Sequence, residues 1–398
     1  MKHPAWLPVL LGFLTAVGPV STDMYLPAFA AIEAEFGRPT GSATVTLATW
    51  FAGLALGQVT QGALSDRFGR RGPLIAGTAL YTAASVGCAL AGSMGTLSAW
   101  RLVAALGGSA SMVVPRAIVR DLVDGPAAAR MMARLILVMG AAPILAPTLG
   151  GAILGFASWR TIFWISAAYG AVCCVLVWVL LPDTLARDMR IGLGPAGLLT
   201  RYAAILRDRA FLAHALMGAF GMFAMFAYLG GSPPVYIGVF GISPRQYGTI
   251  FGLCAAGFIA GAQISPRLLP RFGADAILRG AALVFLLTTA VLMAVALARV
   301  QSLAAIVAPV FVALATLGFV MPNATVGALS RHAPQAASAS ALMGTIQFVI
   351  GAISGLLAGW LADGTARGMA LLMLLGAIGL FAADRLRPRA APPKPHRT

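Results

Sequence analysis

Charge is scarce in this chain. Of 398 residues only 10% are Asp, Glu, Lys or Arg, and only 12 are acidic. A soluble domain carries about 25% charged residues, and no polar tract here is long enough to hold one. Cysteine is also scarce. Cys88, Cys173, Cys174 and Cys254 all fall in apolar segments without a CxxC spacing, so they read as small buried hydrophobes rather than metal or redox ligands. Neither HExxH nor GxSxG occurs. His3, His214, His332 and His396 lie at the termini or near span ends, away from any serine nucleophile. Those absences argue against an intramembrane hydrolase, and the chain is read as a non-enzyme. Ten-residue alternating segments are missing too, which excludes a transmembrane barrel.

What remains is apolar. Hydrophobic residues make up 59% of the chain, with 46 glycines. A membrane-spanning helix needs about 20 apolar residues. Twelve such windows are predicted: 6–29, 41–64, 73–94, 97–120, 131–156, 160–182, 211–232, 246–266, 277–299, 301–323, 335–360 and 367–386. The N-terminus and "AFA" at 28–30 imitate a secretory signal and its cleavage site. The apolar run exceeds the 7–15 residues of a signal core, however, and reads as a retained first span.

The formal charge is +16. Its placement argues against nucleic acid, because the arginines sit in short loops. With the N-terminus inside, 21 basic residues fall on inner segments and 5 on outer ones, and Arg101 and Arg116 lie within spans. That bias places both termini in the cytoplasm, and the excess charge faces anionic lipid headgroups.

The chain repeats itself. A shift of 204 residues lays Gly53, Gly57 and "RFG" at 67–69 over Gly257, Gly261 and "RFG" at 271–273. The same shift lays Gly140, Gly151 and Gly155 over Gly344, Gly355 and Gly359. The organisation expected is an N-terminal half of six spans (1–182), a cytoplasmic linker (183–210), a C-terminal half of six spans (211–386) and a basic tail (387–398). Parallel repeats of this kind place a substrate site near the midplane and work by rocking one half against the other.

Four stretches carry chemistry. "VGPVSTDMYLPAF" (17–29) puts Asp23 in the first span between Pro19 and Pro27. A carboxylate in hydrocarbon costs roughly 2.5–3.5 kcal/mol on insertion scales and marks a functional site by default. "GALSDRFGRRGPL" (62–74) is a charged turn: Gly62 and Gly69 flank Asp66 and Arg67, and Arg70 and Arg71 follow, with Asp121 as a partner for Arg70. It is either a topogenic loop or a latch for helix ends. "AWRLVAALGGSASMVVPRAIVRDL" (99–122) carries Arg101 about one turn inside the outer face; snorkelling to the interface is its alternative to a role with protons. "GAAPILAPTLGGAIL" (140–154) has Pro143 and Pro147, which bend a helix, and Gly150 and Gly151, which permit close approach. For ligand contact the spans offer Tyr25, Phe51, Met225, Phe226, Tyr228, Asn323 and Gln347, each of which also suits helix packing. Glu33, Glu35, Asp363 and Arg367 read as ordinary outer-loop charges.

The loop at 62–71 is similar to the signature G-x-L-a-D-R-x-G-R-R/K of the major facilitator superfamily. "APTLGG" resembles the fifth-helix motif of drug:proton antiporters. With "STDMYLPAF" and "PRAIVRD" the chain resembles the bicyclomycin/chloramphenicol-resistance (Bcr/CflA) branch. The resemblance implies an all-helical membrane fold of two pseudo-symmetric six-helix halves. It also implies a monomeric antiporter of a bacterial inner membrane that exports small amphipathic drugs against protons. The proton gradient would be its energy source, with no cofactor and no metal. Asp23 and Arg101 are the implied proton-coupling residues. Relatives often have an acid at the position of Thr15 and a glutamine at that of Ala104. A symporter or facilitator for a small metabolite on the same fold is the alternative, and "APTLGG" argues against it.

Overall fold

The first apolar span is not one straight helix. It runs as α1 (Leu7–Thr15) and α2 (Val17–Asp23), a single 3₁₀ turn at Leu26–Ala28, and α3 (Phe29–Glu35). Pro27 has no amide to donate to the Asp23 carbonyl, so the regular ladder stops at Asp23. The computed structural model describes residues 6–122, 131, 142–185, 195–332 and 336–387, and all of its regular elements are helical.

The remaining elements are α4 (Thr44–Phe68), α5 (Arg71–Ala89), α6 (Met94–Leu122), α7 (Ala142–Ile153), α8 (Arg160–Leu180), α9 (Pro195–Leu206), α10 (Arg209–Pro233), α11 (Pro244–Leu297), α12 (Leu303–Leu329), α13 (Ala336–Trp360) and α14 (Arg367–Arg385). Each of the twelve windows overlaps a helix. Eight helical runs, with Leu7–Glu35 taken as one, are long and apolar enough to cross a membrane among the described residues. α9 lies inside the segment read as a linker. Residues 186–194 of that segment, the first part of the fifth window and the tail from 388 onward lie outside the described residues.

Windows eight and nine, expected as separate helices, are two helices within the run labelled α11, broken where the chain turns at Gly273 (φ 74°, ψ 157°). The equivalent glycine of the first half, Gly69, has φ 88° and ψ 172°. An L-residue with a side chain avoids that region. The shared "RFG" therefore encodes one backbone turn used twice.

Packing follows the same repeat. In the first half α6 packs on α4 and α5, and α5 on α8; in the second α12 packs on α11 and α10, and α14 on α10 and α11. Gly53 and Gly57 bring α4 against α6, and Gly257 and Gly261 bring α11 against α12. The halves meet through two related contacts. Gly355 and Gly359 of α13 lie on Ala48 and Thr44 of α4, while Gly151 of α7 lies on Pro244 of α11. Under the 204-residue shift α7 corresponds to α13, and α11 begins over α4. Both contacts lie toward the arginine-poor end, which the halves close together.

Near that end α10 ends at Pro233 and the chain widens over Pro234–Val239, where the Phe240 amide donates to the Val235 carbonyl five residues back, at 3.1 Å. Wide turns of this kind recur at functional positions.

Candidate functional site

Asp23 ends α2, and the segment is held from two sides. The Ser21 hydroxyl lies 2.5 Å from the Tyr81 hydroxyl on α5, and the Ser21 carbonyl accepts from Arg101 Nη1 on α6 at 2.8 Å. Thr22 Oγ1 donates to the Gly18 carbonyl at 2.9 Å. The Asp23 residue is only 6% exposed. Among the described residues its carboxyl has no hydrogen-bond or ion-pair partner. Tyr247 of α11, in the other half, lies within electrostatic reach, and Gly150 of α7 packs on the backbone of the next residue, Met24. The acid therefore sits where both halves converge.

Arg101 does not snorkel. It is 1% exposed, and its guanidinium carbon lies 4.1 Å from the Tyr25 ring centroid, 4.4 Å from Trp50 and 5.8 Å from Phe163. The ring faces offer their negative quadrupoles to the cation. Among the described residues its Nε and Nη2 have no hydrogen-bond partner, and its Nη1 is held by Ser21, two residues before Asp23. Trp50, Tyr81 and Phe163 were not identified from the sequence. Nothing in local spacing links them to Arg101, and only tertiary packing does.

The ligand candidates fall into separate groups. Tyr25 belongs to the Arg101 cage, and its hydroxyl lies 3.2 Å from Thr46 Oγ1. Phe51 and Phe226 stack on each other across the halves, with centroids 3.5 Å apart and planes within 4°; Phe348 adds a third ring at 6.2 Å. Met225 is partly buried against the same core. Tyr228 stacks on Phe251 beside Tyr236, and the Tyr236 hydroxyl is buried without a hydrogen-bond partner among the described residues. Asn323 spends its amide within the second half, donating to Ser265 Oγ at 2.7 Å and the Phe319 carbonyl at 2.8 Å. Gln347 packs against Gly218. The structure thus brings Phe51 and Phe226 together and keeps Asn323 apart from them.

At the arginine-rich end the loop after α4 folds around Arg70. Its Nε and Nη2 reach Asp121 at 2.7 and 3.2 Å, Nη1 reaches Asp66 at 2.5 Å, and its backbone amide donates to Asp183 at 2.8 Å. A bidentate arginine–carboxylate pair is among the stronger polar contacts. Arg71 donates to the Trp178 carbonyl at 2.5 Å, whereas Arg67 remains exposed and lies over Phe68. Gly62 leaves open space beside it and sits within α4 rather than in a turn. The sequence did not mark Asp183, although it lies two helix ends away on the same face.

Pro143 and Pro147 both fall in α7, and Pro147, Gly150 and Gly151 line its approach to Gly248, Met24 and Pro244. Thr148 Oγ1 lies 3.3 Å from the Gly248 carbonyl. Two outer charges differ from expectation. Glu33 is buried at 6% exposure and accepts the Ala43 amide at 2.8 Å, closing the turn into α4. Glu35 pairs with Arg160 and accepts Trp159 Nε1 at 2.6 Å. Neither is a freely solvated loop charge.

Comparison with known proteins agrees with this architecture. An uncharacterized MFS-type transporter of Bacillus subtilis (strain 168), YdgK, is 33% identical over 95% of this chain and 94% of its own. A bicyclomycin resistance protein homolog of Haemophilus influenzae is 28% identical over 91% of each chain. A chloramphenicol resistance protein of Pseudomonas aeruginosa is 28% identical over 79% of this chain and 75% of its own. Among solved structures, a D-xylose–proton symporter superposes with a TM-score of 0.74 at 14% identity, covering 94% of this chain and 96% of that one, and so shares the fold. The family model of the Major Facilitator Superfamily matches residues 11–355. With its repeated glycine turns, its paired halves and its charged loop at 62–71, this chain belongs to the Major Facilitator Superfamily and is a transport protein.

Proposed function

We propose that the chain exports small amphipathic antibiotics of the chloramphenicol or bicyclomycin kind across a bacterial inner membrane in exchange for protons. Asp23 is the proton carrier, and the arginine-rich end with both termini faces the cytoplasm. The observation that carries the reading is the setting of Asp23, a carboxyl closed in at the meeting of the halves with no cation on it among the described residues. An ionised carboxylate sealed there would be uncompensated, at a cost of several kcal/mol. A proton removes that cost. Closure of the outer end over Asp23 is thus tied to its being loaded. Opening toward the cytoplasm lets the proton leave and a drug enter, after which the outer end reopens. Arg101 supplies the countercharge: caged by rings while Asp23 is neutral, it has two free nitrogens to offer once Asp23 is ionised. The names of the resistance-protein relatives and the α7 prolines and glycines support export over uptake. The chain works as a monomer surrounded by anionic lipid, and the proton gradient is its energy source.

The test is Asp23→Asn in proteoliposomes with labelled chloramphenicol. The variant is expected to bind drug but show no accumulation driven by an imposed proton gradient. Accumulation at the wild-type rate would remove Asp23 from the mechanism. In drug-susceptible cells, unchanged tolerance to a broad antibiotic panel on expression would instead favour a metabolite symporter.

A further inference from the structure

The 204-residue shift relates more than glycines. It lays Arg71, in the loop after α4, over Asp275, in the loop after Gly273, and it lays Asp183, just beyond α8, over Arg387, just beyond α14. In the first half the loop brings the cation and the helix ends bring carboxylates: Arg70 holds Asp121, and its amide meets Asp183. In the second half the signs are exchanged. Arg387 Nη1 donates to Asp275 Oδ1 at 2.5 Å, and its Nε and Nη2 donate to Asp384 Oδ1 at 2.8 and 2.5 Å. Nη2 also lies 3.5 Å from the Asp275 carbonyl. The Arg387 side chain is 4% exposed and that of Asp384 3%. Such a guanidinium is placed by its partners rather than by solvent.

We propose that Arg387 is a positioning residue for transport. With Asp275 and Asp384 it forms a charge-reversed counterpart of the Arg70 latch, tying the turn in α11 to the end of α14 so that the second half moves as one body. The second-half loop, "SPRLLPRFGAD", has lost the acidic residue and paired arginines of the first-half signature, so the signature alone assigns no latch there. The brace is recovered from the opposite charge at the paired position. Arg387 touches neither the Asp23 region nor the ring stack, and so acts through the helices it joins.

The test uses the full chain with Asp275→Asn, Arg387→Gln and the exchange Asp275→Arg with Arg387→Asp. In nanodiscs, trypsin cleavage after Arg385, the bond beside the pair, is followed in wild type and Asp275→Asn, which have the same tryptic sites. Asp275 is itself 45% exposed, but its loss leaves the buried Arg387 guanidinium with one carboxylate fewer, which is expected to speed cleavage about fivefold or more. In proteoliposomes, each single variant is expected to lose roughly tenfold in maximal chloramphenicol flux with KM held within about twofold, and the exchange to recover much of it. Cleavage of Asp275→Asn at the wild-type rate overturns the brace. An exchange no better than the poorer single variant overturns the pairing. The transport arm rests on the function proposed above. If wild type moves no chloramphenicol, that reading fails, while the cleavage arm still decides the brace.

Discussion

At the residue scale the arrangement is a buried acid, Asp23, with no cation on it among the described residues, two residues beyond the Ser21 carbonyl that holds a buried cation, Arg101. Arg101 survives in the span because ring faces and one carbonyl stand in for water. Lysine cannot replace it. A compact ammonium neither covers three rings nor reaches Ser21 with a rigid fork. Arg101→Lys is therefore expected to fold normally but to lose about tenfold or more of proton-driven transport, read as flux against thermal stability. Flux within about twofold of wild type would mean that any positive charge suffices. Asp23 was legible in the sequence because a lone carboxylate in an apolar run is costly. Its supports, Tyr81 and Trp50, were not. They belong to other helices and carry no mark that separates them from ordinary aromatic packing.

At the element scale the helices are placed by backbone approach and by their ends. Gly150 has no room for a methyl group against the Met24 backbone. Gly150→Ala is expected to weaken the outer closure and cost about 1–3 kcal/mol of stability, measured as a fall in Tm with faster outside labelling of an introduced surface cysteine. An unchanged Tm and labelling rate would show that the contact yields freely. Asp208 caps α10 by accepting the Ala210 amide at 2.9 Å and faces His332 Nε2 at 3.0 Å. Partial burial alone would raise its carboxyl pKa, but the amide, the imidazole and Arg331 together hold it below the ordinary value. A depressed carboxyl stabilises the fold above its unfolded pKa of about 3.9 and loses that contribution as pH falls through the folded value. Asp208→Asn should therefore lower Tm at neutral pH and narrow its gap to wild type below about pH 4. A gap that stays constant down to pH 3 would contradict the linkage.

At the scale of the whole molecule, two repeats face each other and close at the arginine-poor end. The repeats could be read in advance, because twelve apolar runs and one 204-residue shift encode them, whereas the end at which they close rests on contacts between helices far apart in sequence. The break within α11 was also legible, since "RFG" at 271–273 repeats the turn at Gly69. The charge-reversed brace was hidden. Motif reading looks for the same residues, whereas the repeat kept the glycine turn and exchanged the signs at the positions of Asp275 and Arg387. Coupling also belongs to this scale. One usable acid permits one proton per cycle. A neutral drug exchanged for one proton gains about 2.3 kcal/mol per 100 mV, a limiting gradient of about fiftyfold. The most direct measurement is the proton-to-drug ratio, taken from the membrane potential at which chloramphenicol flux reverses in proteoliposomes. One proton per molecule is expected, with the potential dependence abolished in Asp23→Asn. A ratio of two, or potential-driven flux that survives Asp23→Asn, would contradict a single-acid exporter.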